Sequence, residues 1–384
     1  MNFNKTTNRS NTESLKYDSA ANYGKPDGLL PLWVADMDFP APDCVTSALQ
    51  ERVAHGIFGY AVPDDTYYNA VINWFAARFN YHADPRWLTI TLGVVYAINM
   101  AIDAFTASGD GILIQEPVYY PFRQSITANR RRVVVNELVL QDGKYVIDFA
   151  DFEEKARQSK LFLLCSPHNP VGRVWTVDEL RKMVDICVKH NVLIVADEIW
   201  CDFIYGNRQH YMLPALMPEA QDNIILCTAP SKTFNLAGLQ NANIFISNPN
   251  LRKVFRRTVN RNGMEMPNNA GFVAARAAYS HGGDWLTELL QYIESNFIYI
   301  DGFLKTNLPT VKLIAPQGTY LAWLDCRALD VTPDELEHKL LHEAKIWLSR
   351  GDSFGALGAG FMRLNAACPH ITLGECLRRM AAAL

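Results

Sequence analysis

Through the middle of the chain, short apolar runs alternate with longer segments whose apolar positions recur at helical spacing. Residues 111–115 (GILIQ), 160–165 (KLFLLC), 192–196 (VLIVA), 224–228 (IILCT) and 242–247 (ANIFIS) read as buried strands. Between the second and third of these, Val177, Leu180, Val184 and Cys187 share one helical face, and Thr176 with Glu179 makes a capping box at its start. A β-like stretch at 87–91 leads through Leu92-Gly93-Val94-Val95 into a helical pattern over 96–105. Strands alternating with helices predict an α/β fold with a mostly parallel sheet covered on both faces.

The C-terminal third reads differently. A long helical pattern over 285–303 is followed by a strand at 319–324, a helix over 332–344, a strand at 361–364 and a closing helix from Leu373. This predicts a smaller α+β domain beside the large one. No internal repeat or low-complexity linker separates them.

Composition narrows the field. At roughly 150 residues per domain, 384 residues make two or three domains. Hydrophobic residues at 49% and charged residues at 20% supply a large core and exclude a disordered chain or a disulfide miniprotein. Lys and Arg number 36 against 40 Asp and Glu, a formal charge of −4, so neither nucleic acid nor an anionic membrane is expected as a partner. The apolar runs fall far short of the ~20 residues of a spanning helix. Residues 1–17 are polar and lack the apolar core of an export signal. Eight cysteines are scattered without a C-x-x-C pair, which suits reduced thiols in a cytoplasmic protein.

Four short segments carry candidate chemistry. Lys232, in Ser231-Lys232-Thr233-Phe234, stands just past the strand at 224–228, where α/β proteins place ligands. It is a candidate Schiff-base lysine, with Ser231 and Thr228 available to a phosphate; a surface lysine in a loop is the plain alternative. Asp197 and Glu198 end the strand at 192–196, positioned to pair with a cation such as a protonated pyridine nitrogen, or simply to cap the next segment. Asn169 lies in Ser166-Pro167-His168-Asn169-Pro170-Val171-Gly172, where two prolines stiffen a loop whose amide can donate to a ligand oxygen; an ordinary turn is the alternative. Gly93 precedes a helix whose free N–H groups suit a phosphate. Asn169, Asp197 and Lys232 each follow one of three successive strands, 28 and 35 residues apart, about one β-α unit each. Together they describe a pyridoxal phosphate pocket.

These motifs occur in order with others: residues 31–39 (PLWVADMDF), 58–60 (FGY), 93–95 (GVV), 117–122 (PVYYPF), 166–175 (SPHNPVGRVW), 231–238 (SKTFNLAG), 316–324 (PQGTYLAWL) and 361–369 (FMRLNAACP). The chain resembles the fold-type I pyridoxal-phosphate enzymes of the class I/II aminotransferase superfamily. More narrowly, it resembles their cystathionine β-lyase-like (MalY/PatB) subgroup. The resemblance implies that Lys232 carries pyridoxal 5'-phosphate and moves the α-proton. Asp197 would keep the pyridine nitrogen protonated, Asn169 would donate to the phenolic oxygen, and Tyr119 would stack on the ring. Gly93, Val94 and Val95 with Ser231 would bind the phosphate, and Arg363 the substrate carboxylate. Tyr60 would reach the phosphate of a neighbouring subunit, implying a homodimer. No metal is implied. The implied division is an N-terminal segment 1–47 joining the small domain, a large cofactor domain 48–284 and a small domain 285–384.

Three positions depart from the superfamily pattern. Trp200 stands where relatives usually carry His or Tyr. Ala229 replaces a frequent hydroxyl, and Gln240 stands where aminotransferases often place an arginine eight residues after the lysine. The last departure suits the lyase subgroup. The expected activity is β-elimination from L-cystathionine or S-substituted L-cysteines, giving a thiol, pyruvate and ammonia. An aminotransferase and a regulator that keeps the fold as a binding module are the rival readings. His338 and His342, at i, i+4, read as a solvated helix face rather than a zinc site, because the Glu of H-E-x-x-H is missing. Gly355, Gly358 and Gly360 read as a turn before the Arg363 strand, and the Arg130-Arg131-Arg132 run reads as a solvated strand edge.

Overall fold

The computed structural model describes residues 2–264 and 266–384. In chain order its strands are β1 (Leu30–Pro31), β2 (Leu88–Thr91), β3 (Gly111–Glu116), β4 (Arg132–Gln141) and β5 (Lys144–Ile147). Then come β6 (Leu161–Cys165), β7 (Leu193–Asp197), β8 (Ile224–Thr228), β9 (Ala242–Phe245), β10 (Lys312–Leu313) and β11 (Leu321–Asp325). The last are β12 (Ile346–Trp347), β13 (Ser349–Arg350) and β14 (Phe361–Asn365).

Eight of these form one sheet in the order β2-β9-β8-β7-β6-β3-β4-β5. It is parallel from β8 through β4; β9 and β5 run antiparallel to their neighbours. The continuous apolar runs are explained by burial on both faces. Leu161, Leu163 and Cys165 of β6 pack with Ala97, Ile98 and Ala101 of the helix Val94–Phe105. Phe162 and Leu164 point the other way, into the larger cluster with Leu180 and Val184 of the helix Val177–Lys189. That helix starts on the expected capping box of Thr176 and Glu179.

The second sheet is antiparallel, in the order β10-β11-β14-β13, and packs with the helices Gly283–Asn307 and His370–Ala383. N-terminal β1 pairs in parallel with β12, so the two ends of the chain meet. Arg9 bonds Asp36 and Asp38 at 2.6 and 2.8 Å, and the buried Lys16 ammonium lies 3.0 Å from Asp38. These pairs pin the segment before β1 to residues 36–38.

Several expectations need correction at element ends. The helix expected over 332–344 is α-helical only over Pro333–His338 and then widens into a π-helical turn, Lys339–Glu343. The strand expected from Thr319 begins at Leu321, because Thr319 has φ +65° and its hydroxyl accepts the Leu321 N–H. Trp87 belongs to a 3₁₀ turn, and the closing helix starts at His370 rather than Leu373. The three arginines are not one solvated edge. Arg131 turns inward and donates to the carbonyls of Thr106 and Asn129 and to the Thr106 hydroxyl, closing the end of the helix Val94–Phe105. His338 and His342 are exposed with stacked rings, and among the described residues no group of three metal-ligating side chains gathers. No helix among the described residues is long and apolar enough to cross a membrane.

Candidate active site

β6, β7 and β8 are adjacent and parallel, so the residues that follow them emerge on one edge. Asp197 sits opposite Cys165 and Cys227 in register. A cavity of about 230 Å³ opens there, lined by Gly93, Val94, Val95, Tyr119, Asn169, Asp197, Ser231 and Lys232. A second cavity of about 390 Å³ shares Ala35, Tyr119 and Lys232 with the first and has Arg363 in its wall. Lys232 therefore stands where the two spaces meet.

Asp197 is 4% exposed, and its Oδ1 accepts one bond, from the Ile199 N–H at 3.2 Å. Burial pushes this carboxyl up to about 7, with Lys232 pulling the other way. A buried acid lining a cavity with a single backbone donor is built to meet a cation or a protonated nitrogen there. Lys232 leaves the short turn Pro230–Thr233 and donates from Nζ to the Ala35 carbonyl at 2.6 Å. Its Nζ lies 5.4 Å from the centre of the Trp200 ring. Burial lowers its ammonium to about 8, partly offset by Asp36 and Asp197. Next to it, the Thr233 hydroxyl donates to the buried Asp202, which Arg78 pairs from the far side at 2.8 Å.

Asn169 is held by its loop. His168 bonds the Pro117 carbonyl at 2.8 Å, and the Trp175 indole donates to the Cys165 carbonyl at 3.0 Å. Gly172, at φ +70°, turns its carbonyl onto the N–H groups of Gln317 and Gly318, so two motifs distant in sequence interlock. Arg363 Nη1 donates to Asn169 Oδ1 at 3.1 Å, which leaves the Asn169 amide nitrogen as its donor toward the cavity. Arg363 Nη2 also holds the Trp33 carbonyl and Ser349, while its buried Nε has no partner among the described residues. Burial lowers its guanidinium to about 10. An arginine so placed is ready for a carboxylate.

At the opposite end, Gly93 (φ +148°) delivers the chain into the helix Val94–Phe105 without a side-chain cap. The start of that helix lines the cavity, and its first N–H groups, which have no intrahelical partner, are the kind of donors an anion needs. Among the described residues Lys232 is the one cationic side chain in this cavity's lining, so an anion bound by these residues depends on neutral donors and the helix end. Taken together, these groups fit a flat nitrogen heterocycle with a phosphate arm, as pyridoxal phosphate has. Trp200 packs edge-on against Tyr320 at 4.6 Å, below Lys232. Tyr60 lies apart from both cavities and is 96% exposed on a surface pocket with Phe58 and Met266.

The motif reading gave no role to the strap 33–37. Its carbonyls are taken up one after another: Trp33 by Ser349 and Arg363, Val34 and Asp36 by Asn365, Ala35 by Lys232 and Tyr320, Met37 by Asn235. These are backbone groups, and only the recurrence of Asn and Ser near the other motifs hinted at them.

Known proteins agree with this geometry. Residues 28–380 match the family "Aminotransferase class I and II". The chain is 43% identical to cystathionine beta-lyase PatB of Bacillus subtilis over the full length of both. Cystalysin of Treponema denticola, whose crystal structure contains a pyridoxal 5'-phosphate cofactor, superposes with a TM-score of 0.95 at 36% identity, covering 99% of this chain and 98% of that one. The PLP-bound C-S lyase of Staphylococcus hominis superposes with a TM-score of 0.93 at 31% identity, covering 100% and 98%. With its fold, its site and these likenesses in agreement, the chain belongs to the class I and II aminotransferase family.

Proposed function

We propose that this protein is a pyridoxal-phosphate-dependent carbon–sulfur β-lyase that cleaves L-cystathionine or related S-substituted L-cysteines to a thiol, pyruvate and ammonia. The observation that carries the reading is the meeting of two cavities at Lys232, one with the donor set for the cofactor and one with a carboxylate-binding arginine. The full-length likeness to a cystathionine β-lyase gives the reaction class.

Bound pyridoxal phosphate supplies an electron sink for the bonds at the substrate Cα. Asp197 would hold a protonated ring nitrogen, whose positive charge would favour the ionised carboxylate. Asn169 would donate from Nδ2 to the phenolic oxygen, Tyr119 would cover the ring, and the N–H groups of Val94 and Val95 with Ser231 would hold the phosphate. Arg363 takes the substrate carboxylate in a bidentate pair, which orients the Cα–H bond toward Lys232. Lys232, with its ammonium lowered to about 8, exchanges a proton at Nζ near neutral pH. In the net reaction the Cα–H and Cβ–S bonds break, the thiolate leaves, and the released enamine takes up water to give pyruvate and ammonia.

A homodimer belongs to the same proposal. Ile57, Phe58, Tyr60 and Val62 are all more than 60% exposed, an apolar run that a second copy would cover while Tyr60 reaches its phosphate site. Of the division into 1–47, 48–284 and 285–384, the pairing of β1 with β12 supports the joining of the N-terminal segment to the small domain; the two boundaries themselves fall inside the helices Asp43–His55 and Gly283–Asn307. A cytoplasmic location is supported by eight free cysteines, seven of them buried.

The test is to supply L-cystathionine without any keto acid and assay pyruvate and free thiol. Sustained release of both is expected from the native enzyme and none from Lys232→Ala. An aminotransferase would stop after one turnover without pyruvate.

A further inference from the structure

Away from Lys232 and Arg363, the lining of the second cavity includes groups that cleavage at Cβ leaves unused. Lys25 comes from the N-terminal segment; Glu337 and Arg350 come from the C-terminal third. Lys25 Nζ lies 2.5 Å from Glu337 Oε1, and Arg350 Nη1 lies 3.0 Å from Glu337 Oε2. One carboxylate is thus shared by two cations, and the Lys25–Glu337 pair is about four-fifths buried, at 22% and 18% side-chain exposure. Arg350 is further engaged by Asp352 and Asp334, at 2.6 and 2.7 Å. Lys25 Nζ has Glu337 as its one hydrogen-bond partner among the described residues, leaving two of its three donors to spare. The same cavity has an aromatic wall in which Trp33 stacks on Trp347 at 4.1 Å.

We infer that this rim receives the far end of the substrate and selects thioethers whose sulfur substituent ends in a second amino-acid head group. The inference rests on the lyase reading and deepens it. A carboxylate at that end meets Lys25, and an ammonium beside it meets Glu337. An uncharged end would shed water from a partly buried ion pair and return nothing for it. An end bearing only a carboxylate fares poorly as well. Of the rim's two cations, Arg350 is already engaged by Asp352 and Asp334 and Lys25 stands against Glu337, so a lone negative charge meets the Glu337 carboxylate unless a positive group arrives with it. The aromatic wall suits the methylene stem that joins the two ends.

The experiment is calorimetric binding to the holoenzyme of two uncleavable ligands. L,L-diaminosuberate replaces the sulfur of cystathionine by a methylene group, and L-α-aminooctanoate has the same chain length without the second head group. The native enzyme is expected to bind diaminosuberate at least about tenfold more tightly, the worth of one charge-assisted contact. Lys25→Met and Glu337→Gln should each bring that ratio close to one, and Lys25→Arg should keep it. Equal affinities in the native enzyme overturn the inference, as does a ratio that both variants leave unchanged. A general loosening of the fold lowers both affinities together and leaves the ratio, so it counts against selection by the rim. The two readings separate cleanly. Pyruvate from cystathionine with no preference between the ligands keeps the lyase and removes the rim's role. A preference without pyruvate keeps the rim and removes the lyase.

Discussion

Asp197 and Lys232 face the same cavity, and burial moves their pKa values toward each other, to about 7 and about 8. For Asp197 the folded value lies above the ordinary 3.8. Folding therefore favours the protonated carboxyl; the penalty for ionising it is absent below about pH 4 and complete above about pH 7. Stripped of cofactor, Asp197→Asn should gain stability over the stripped native chain as pH rises through that window, by at most about 4 kcal/mol, and no more beyond it. A difference in melting temperature that ignores pH would refute the assignment. With cofactor bound the sign reverses, because the amide cannot pair with a protonated ring nitrogen. Turnover of Asp197→Asn should fall by roughly 100-fold or more at full cofactor occupancy, as when a preorganised charge partner is lost. At Lys232, borohydride reduction should fix cofactor mass to the peptide containing this residue, and Lys232→Ala should abolish the adduct. Retention of the adduct in that variant would place the linkage elsewhere. These two residues and Asn169 were legible in the sequence because three successive parallel strands end on the same edge, whatever packs around them. The role of the Ala35 carbonyl was not legible, since every residue has a carbonyl and this one meets Lys232 only across 197 positions of sequence.

Elements position these groups through contacts that periodicity does not encode. The turn Pro230–Thr233 is a single turn with no side-chain cap of its own, and it is steadied from below by Thr233, Asp202 and Arg78. Asp202 is 4% exposed, so removing Arg78 leaves a buried carboxylate short of its counter-ion. Arg78→Ala is expected to cost about 3 kcal/mol in urea unfolding, and adding Asp202→Asn should return much of it. If the double variant is no more stable than the single, the ion pair is not what holds the turn. The capping box at Thr176 was readable because it is local: two side chains three residues apart exchange bonds with each other's backbone. The widening of the helix at Lys339–Glu343 was not, because its 3.6-residue pattern continues while packing against the closing helix sets the backbone. The arginine run failed for a similar reason. Only the fold placed Arg131 within reach of the carbonyls that end the helix Val94–Phe105.

Across the whole molecule, the site is assembled from parts that lie far apart in the chain. Arg363 reaches Asn169 across 194 residues and the Trp33 carbonyl across 330. In the proposed homodimer, the exposed run from Ile57 to Val62 would extend the same logic to a second copy. Phe58→Asp with Val62→Asp should shift the protein from dimer to monomer in sedimentation, and cofactor should then be lost more readily. Mixing Lys232→Ala with Tyr60→Phe subunits should restore one complete site in each mixed dimer, so activity should exceed that of either variant alone. No gain on mixing would mean that Tyr60 does not complete the neighbouring site. By itself the sequence determined the α/β class, the sheet edge and the placing of Asn169, Asp197 and Lys232 on it, because apolar periodicity and motif spacing act over one β-α unit at a time. The tertiary structure alone decided which carbonyls the site residues hold, how the N-terminal strap closes over Lys232, and that Lys25 meets Glu337 across 312 residues. Those are meetings between segments with no local pattern in common, and they form only when burial of the two sheets and their helices brings the ends of the chain together.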